Sequence, residues 1–402
     1  MTTPGAQARQ LGGIRRIVGG TFRLYARHLP ALLAFFLAGW IANHLLIRFG
    51  GFVANIDPLL GQLVLPLAVL ARVASYVAMF LVLRPGRSFA TAMSSSILPF
   101  LVVFATWGMI KDDWVAFSLA QLEQRRLDGT DPELFVTITP VSVGVVVIAF
   151  VLRFLIKRYS ARLPRWFSFV AAYLEAVWIF LAIDIIAQAV GWITAWLQGR
   201  RIVAWGAQMI EAARETIAPL AWITDAIGWL VGQAAVVVGL PLAWLTLAGI
   251  VYAVTRPLAS PTRLAAATSR RLARLPRAVR ARLAEVGADL AGRWLPISQS
   301  ARLIWRAGVV TMALFVVAYA VLDTSSEWLQ FALQRLIGPH PLGWWFAADT
   351  PMTLLVSLIV EPLRISLIAA TWAYCLTLSD AGRDELQRED EDLGIRRGVP
   401  QT

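Results

Sequence analysis

The sequence predicts an all-α, polytopic integral membrane protein with about eight transmembrane helices. Three observations predict it. The 402-residue chain is 58% hydrophobic and only 15% charged, against about 45–50% and about 25% in a soluble globular domain. The apolar residues gather in runs of about 20 or more, the length that crosses a hydrocarbon core of about 30 Å. These runs are continuous rather than alternating, which argues against a β-barrel. The third observation is charge placement. Arg256–Arg306 holds eleven arginines against Glu285 and Asp289, a local balance of +9 within a whole-chain net charge of +12. A segment like this resists crossing a bilayer and marks the cytoplasmic side.

The chain can be threaded from that anchor. Residues 1–28 read as a cytoplasmic tail and a short amphipathic helix. Ile14, Ile17, Val18, Phe22 and Tyr25 recur at helical spacing among Arg15, Arg16, Arg23 and Arg27, the pattern of a helix on the inner membrane surface. No short apolar stretch with a small-residue cleavage site follows, so the first span is expected to be retained. Residues 29–254 carry spans 1–6. Span 1 covers Leu29 to Phe49, and span 2 covers Leu59–Leu83 with Pro66 and Arg72 inside it. Span 3 runs from Phe89 to Ile110, span 4 from Val136 to Ile156, and span 5 from Phe167 to Leu197.

Two outer segments in this stretch look amphipathic. In residues 114–127, Trp114, Phe117, Leu119 and Leu122 form the apolar side. In residues 198–218, Trp205, Met209 and Ile217 do so. Span 6 lies within 221–254, a run long enough that its first part, with Asp225, could form a re-entrant helix before Pro241.

Residues 255–302 form the basic cytoplasmic segment. Leu272, Leu275, Val279, Leu283, Val286, Leu290 and Trp294 step by three or four, a helical stripe. Arg270, Arg271, Arg274, Arg277, Arg280 and Arg282 would meet anionic headgroups of the inner leaflet. Residues 303–378 supply spans 7 and 8, joined by an outer segment with a third amphipathic piece. Residues 379–402 are a charged cytoplasmic tail. Eight spans place both termini in the cytoplasm. Trp114, Trp192, Trp196, Trp205, Trp222, Trp328, Trp344 and Trp345 then fall near the outer edge, as an interfacial aromatic belt does.

Chemistry is expected where ionisable residues interrupt the spans, since charge in hydrocarbon is costly and faces protein or water. These are Arg72, Glu175, Asp184, Glu361 and Arg364, with Gln188 one turn from Asp184. Glu361 and Arg364 stand three apart and can pair on their own helix. Glu175 and Asp184 stand nine apart, on opposite faces, and Glu175 can reach Arg72 or Arg153 from a neighbouring helix. Arg153, near a span end, can snorkel. The set reads either as salt bridges that fix helix packing or as a polar transport path. Asp112 and Asp113 are the one weak candidate for a metal, against the plain reading of acids near a helix N-terminus.

Cys375 is the sole cysteine, so no disulfide or cysteine metal site forms within one chain. Walker A, GxGxxG, HExxH, CxxC and GxSxG motifs are all absent from the sequence, which argues against an ATP-driven motor or a serine or zinc hydrolase. No cofactor or catalytic residue is expected. The isoelectric point near 10.8 would suggest nucleic acid for a soluble chain. Here it reflects topology, and the expected partners are anionic lipids, membrane proteins or further copies of the chain, with no nucleic acid. The chain reads as a non-catalytic scaffold or accessory subunit of a bacterial cell-envelope complex in the inner membrane. A transporter with a polar site between spans 2, 5 and 8 is the alternative, and an envelope lipid- or glycan-modifying enzyme the third reading.

Overall fold

In a computed structural model, all described secondary structure is helical. The structure describes residues 4–85, 88–128, 140–159, 162–164, 167–201, 205–206, 208–209, 218–252, 300, 303–305 and 307–378. The helices are α1 (Pro4–Ile56), α2 (Pro58–Leu83), α3 (Phe89–Thr106), α4 (Met109–Asp128), α5 (Pro140–Arg158) and α6 (Phe167–Gln198). They continue with α7 (Ala218–Ala234), α8 (Leu240–Tyr252), α9 (Val309–Ile337) and α10 (Leu342–Thr377). Among the described residues seven helical stretches are long and apolar enough to cross a membrane, and α5 adds a shorter apolar stretch, Val143–Ile156. The chain is thus a multi-pass membrane protein by length and composition.

Several boundaries differ from the sequence expectation, each for a local reason. The amphipathic segment and span 1 are one helix, continuous through Pro30. Its buried positions Ile17, Thr21, Leu32, Phe36, Gly39, Asn43, Ile47, Gly50 and Ala54 keep one stripe from Ile17 to Ala54. The expected outer link after Phe49 is also helical, up to Ile56. The turn is made instead at Asp57, whose Oδ1 accepts the Leu60 N–H at 2.9 Å, with Pro58 at the first helical position, where a missing N–H costs nothing.

Span 3 ends early, at Thr106, because Gly108 takes φ +80, a conformation open to glycine. The run expected to be split near Asp225 is continuous through a π-helical turn, Ala235–Gly239. Pro241 follows two residues later and cannot donate to the preceding turn. The wider turn absorbs it. The Trp107 indole N–H donates to the Ala235 carbonyl at 3.4 Å.

The sequence places span 7 at about Leu303–Leu322, an outer segment at 323–350 and span 8 at about Met352–Leu378. That outer segment is helix except at 338–341: α9 runs to Ile337, and α10 starts at Leu342. Only Gly338, at φ +83, and the residues up to Pro341 make the turn.

Two compact units emerge. One comprises Met1–Phe36, Val77–Ser95 and Pro241–Thr402. Its core gathers Phe80, Trp244, Phe315 and Trp372, all fully buried. A Cβ on Gly249 would collide with the Trp372 ring and the Ser300 hydroxyl, so glycine is what lets that ring sit against α8. The other unit comprises Leu37–Tyr76 and Ser96–Leu240. Here α1 and α2 approach closely through small residues. A Cβ on Gly61 would overlap Ala54, and one on Gly39 would overlap Ser75. Close helix approach through small residues is how membrane helices gain packing without a hydrophobic driving force.

Candidate functional site

The close hairpin of α1 and α2 positions the first polar cluster. Asn43 donates from Nδ2 to the Ala68 carbonyl at 3.1 Å. Arg72 Nη2 donates to Asn43 Oδ1 at 3.3 Å and to Asp113 Oδ1 at 2.6 Å. Asp113 arrives on α4, where Ile110, Asp113, Phe117 and Gln121 form the buried face. The apolar side expected from the sequence was different: Leu119 is exposed and two polar residues turn inward. The reason is the partner surface. α4 lies against Gly50 and Gly51, where Phe117 and Ala120 fit, and against a guanidinium that needs a carboxylate. The Asp113 side chain is 2% exposed and that of Arg72 30%. Burial pushes the Asp113 carboxyl above its ordinary range; the Arg72 guanidinium opposes this and Asp112 reinforces it.

The second cluster joins α5 and α6. Arg153 Nη2 donates to Glu175 Oε1 at 3.0 Å, and both side chains are largely buried. One turn along each helix, Phe150 meets Trp178 edge to face at 5.5 Å. Arg153 therefore does not snorkel, because a carboxylate is supplied by its neighbour. Close by, Tyr173 Oη donates to the Leu63 carbonyl at 2.8 Å, near the helix turn that Pro66 disturbs. The bond ties α6 to the backbone of α2 one turn before Pro66.

The third cluster lies on α9 and α10. Arg364 Nη1 donates to Glu361 Oε1 at 2.6 Å, and Nη2 to Asp323 Oδ1 at 2.8 Å. The guanidinium also stands over the Tyr319 ring, 5.4 Å from its centroid. The i, i+3 pair is as the sequence spacing predicts. Asp323 is an addition, since it was placed outside the span. Its side chain is 53% exposed.

The predicted site residues thus fall into separate groups. Arg72, Glu175, Asp184 and Gln188 belong to one unit, and Glu361 and Arg364 to the other. Glu175 is joined to Arg153 and not to Arg72. Asp184 lies in α6 opposite Glu175, with its side chain outside the described residues, and Gln188 is half-buried. Asp112 is exposed while Asp113 is buried and bound to Arg72, so the two carboxylates stand in different surroundings. No cluster of three His, Cys, Asp or Glu able to hold a metal ion occurs among the described residues. Arg270, Arg271, Arg274, Arg277, Arg280 and Arg282, like the whole stripe Leu272–Trp294, lie outside the described residues.

Sequence reasoning missed Asn43, Asp113 as the partner of Arg72, and Asp323. The signal for each was present in the sequence: an isolated amide within span 1, and acids at the ends of apolar runs that could turn back to a span arginine. No family model, curated protein or solved structure matches the chain.

Proposed function

We propose that this protein is a non-catalytic membrane scaffold or accessory subunit of a bacterial cell-envelope complex, set in the inner membrane, with α5 counted as an eighth span and both termini cytoplasmic. The observation that carries this reading is the closure of the span arginines. Arg72, Arg153 and Arg364 each meet a carboxylate on a neighbouring helix at 3.0 Å or less. Pairs of this kind hold helices in place and neutralise the arginine charge within the spans.

A second feature supports an assembly role. The tail of α6 from Ala187 and the α7 stretch Asp225–Ala234 are exposed or nearly so on every side, and they present Trp192, Trp196, Trp229 and Leu230. A helix apolar all round belongs in lipid or against another protein. Gentle solubilisation of the tagged protein from its native membrane, followed by cross-linking and sizing, tests the reading. A stoichiometric partner or a defined oligomer is expected. A lone monomer that catalyses solute flux in proteoliposomes would overturn it.

One observation favours the transporter alternative. Asp323 is half-exposed beside Arg364, near the middle of α9. A carboxylate there faces protein or water more readily than hydrocarbon. If this polar face serves a path, Glu361→Gln and Arg364→Leu abolish flux while the protein still reaches the membrane.

A further inference from the structure

We propose that the outward face of α1 between Arg15 and Pro30 binds the headgroup of an acidic glycerophospholipid. The proposal rests on the lipid-contacting role above but assigns it to residues outside the basic segment. The geometry begins with what α1 buries. Ile17 and Thr21 face inward, with Leu24 and His28 partly covered, and a Cβ on Gly20 would stand in van der Waals contact with Ala370 on α10. This part of α1 is therefore docked on protein along one side.

The opposite side is open. Arg15, Arg16, Arg23 and Arg27 are all exposed. None of their side chains makes an ion pair or hydrogen bond among the described residues, whereas Arg72, Arg153 and Arg364 each meet a carboxylate. The first 56 residues of the chain contain no acid, so no local carboxylate can neutralise them. At about 100° per residue, Arg16, Arg23 and Arg27 form one ridge, and Arg15, Val18 and Phe22 form another. Between them run Gly19, Ala26 and Pro30, small residues that leave a shallow groove. A Cβ on Gly19 would meet nothing within 4 Å.

The occupant follows from chemistry and position. The first ridge offers guanidinium forks, which match phosphate oxygens in pairs. The second offers exposed Val18 and Phe22, which a soluble anion would not use. The same helix then continues without a break into an apolar span, with Ala34 and Phe35 exposed beyond Pro30. A ligand with a phosphate at one end and acyl chains directed along the span fits both parts. A free phosphate or an acidic peptide fits only the first.

The test uses the full chain in nanodiscs of phosphatidylglycerol and phosphatidylcholine in equal proportion, with lipids retained on release counted by native mass spectrometry. Wild type should retain phosphatidylglycerol preferentially. Each arginine near an anionic headgroup contributes about a fivefold preference, so R16Q/R23Q/R27Q should lose on the order of a hundredfold. Neutralising Arg270, Arg271, Arg274, Arg277, Arg280 and Arg282 should leave this retained lipid in place. Should the triple change prevent purification, R23Q/R27Q carries the same expectation at roughly thirtyfold. Retention that survives in the α1 variant but vanishes in the basic-segment variant would overturn the proposal and leave the broader lipid role intact. Equal retention of both lipids by the wild type would overturn both.

Discussion

Arg153 and Glu175 show what a single residue contributes here. Both are largely buried, so removing one partner deprives the other charge of this ion pair. Arg153→Met or Glu175→Gln should each destabilise the protein by about 3 kcal/mol, and the double variant R153M/E175L should recover most of the loss. Thermal unfolding in detergent checks this; equal losses in single and double variants would contradict it. Asp113 behaves differently, because its raised carboxyl sits beside a guanidinium. A folded-state pKa above the unfolded value contributes stability at low pH and loses it as pH rises through the folded value. The melting temperature of wild type should therefore gain on that of Asp113→Asn as pH falls through the carboxylate range. Arg72→Leu removes the opposing charge and should leave Asp113 protonated at neutral pH. An infrared carboxylic-acid band present in R72L and absent from R72L/D113N would report it.

At the scale of elements, small residues set the spacing of α1 and α2. Gly61→Val would force the hairpin apart at Ala54 and should cost about 1–3 kcal/mol. Gly191→Val, whose Cβ has open space, should cost far less in the same unfolding measurement. The sequence made most of these elements readable. Span 2 and span 5 were placed to within a residue or so, because long apolar runs have sharp ends at charges and prolines. It did not reveal where helices continue past the apolar run. Residues 50–56 carry two glycines and an asparagine and read as a link, and 323–350 read as outer with one amphipathic piece, yet a helix in contact with its neighbour needs no loop chemistry. The inward face of α4 was hidden for a related reason. Asp113 and Gln121 read as solvent-facing until Arg72 and the glycines of α1 are seen opposite them. Pairing across elements is a tertiary property, and the spacing within one helix reveals only contacts such as Glu361 with Arg364.

For the whole molecule, the charge asymmetry read from the sequence predicts cytoplasmic termini, and this can be measured directly. Cys375 is buried, so single cysteines added at positions 5 and 398 can be read against a quiet background. Both should react with an impermeant maleimide only when the cytoplasmic face is opened. Reaction of one from each side would imply that α5 does not cross.

The length of α1 has a mechanical consequence. Its 53 residues extend about 80 Å at 1.5 Å each. A helix tilted by 40°, the upper end of what is seen, passes through a core of about 30 Å in about 26 residues. Roughly half of α1 must therefore stand in headgroups or water as a stiff rod. Because α1 is packed against α2 at Gly39 and Gly61, this rod leans only together with its neighbours, so a change in bilayer thickness should tilt the α1–α2 hairpin as a unit.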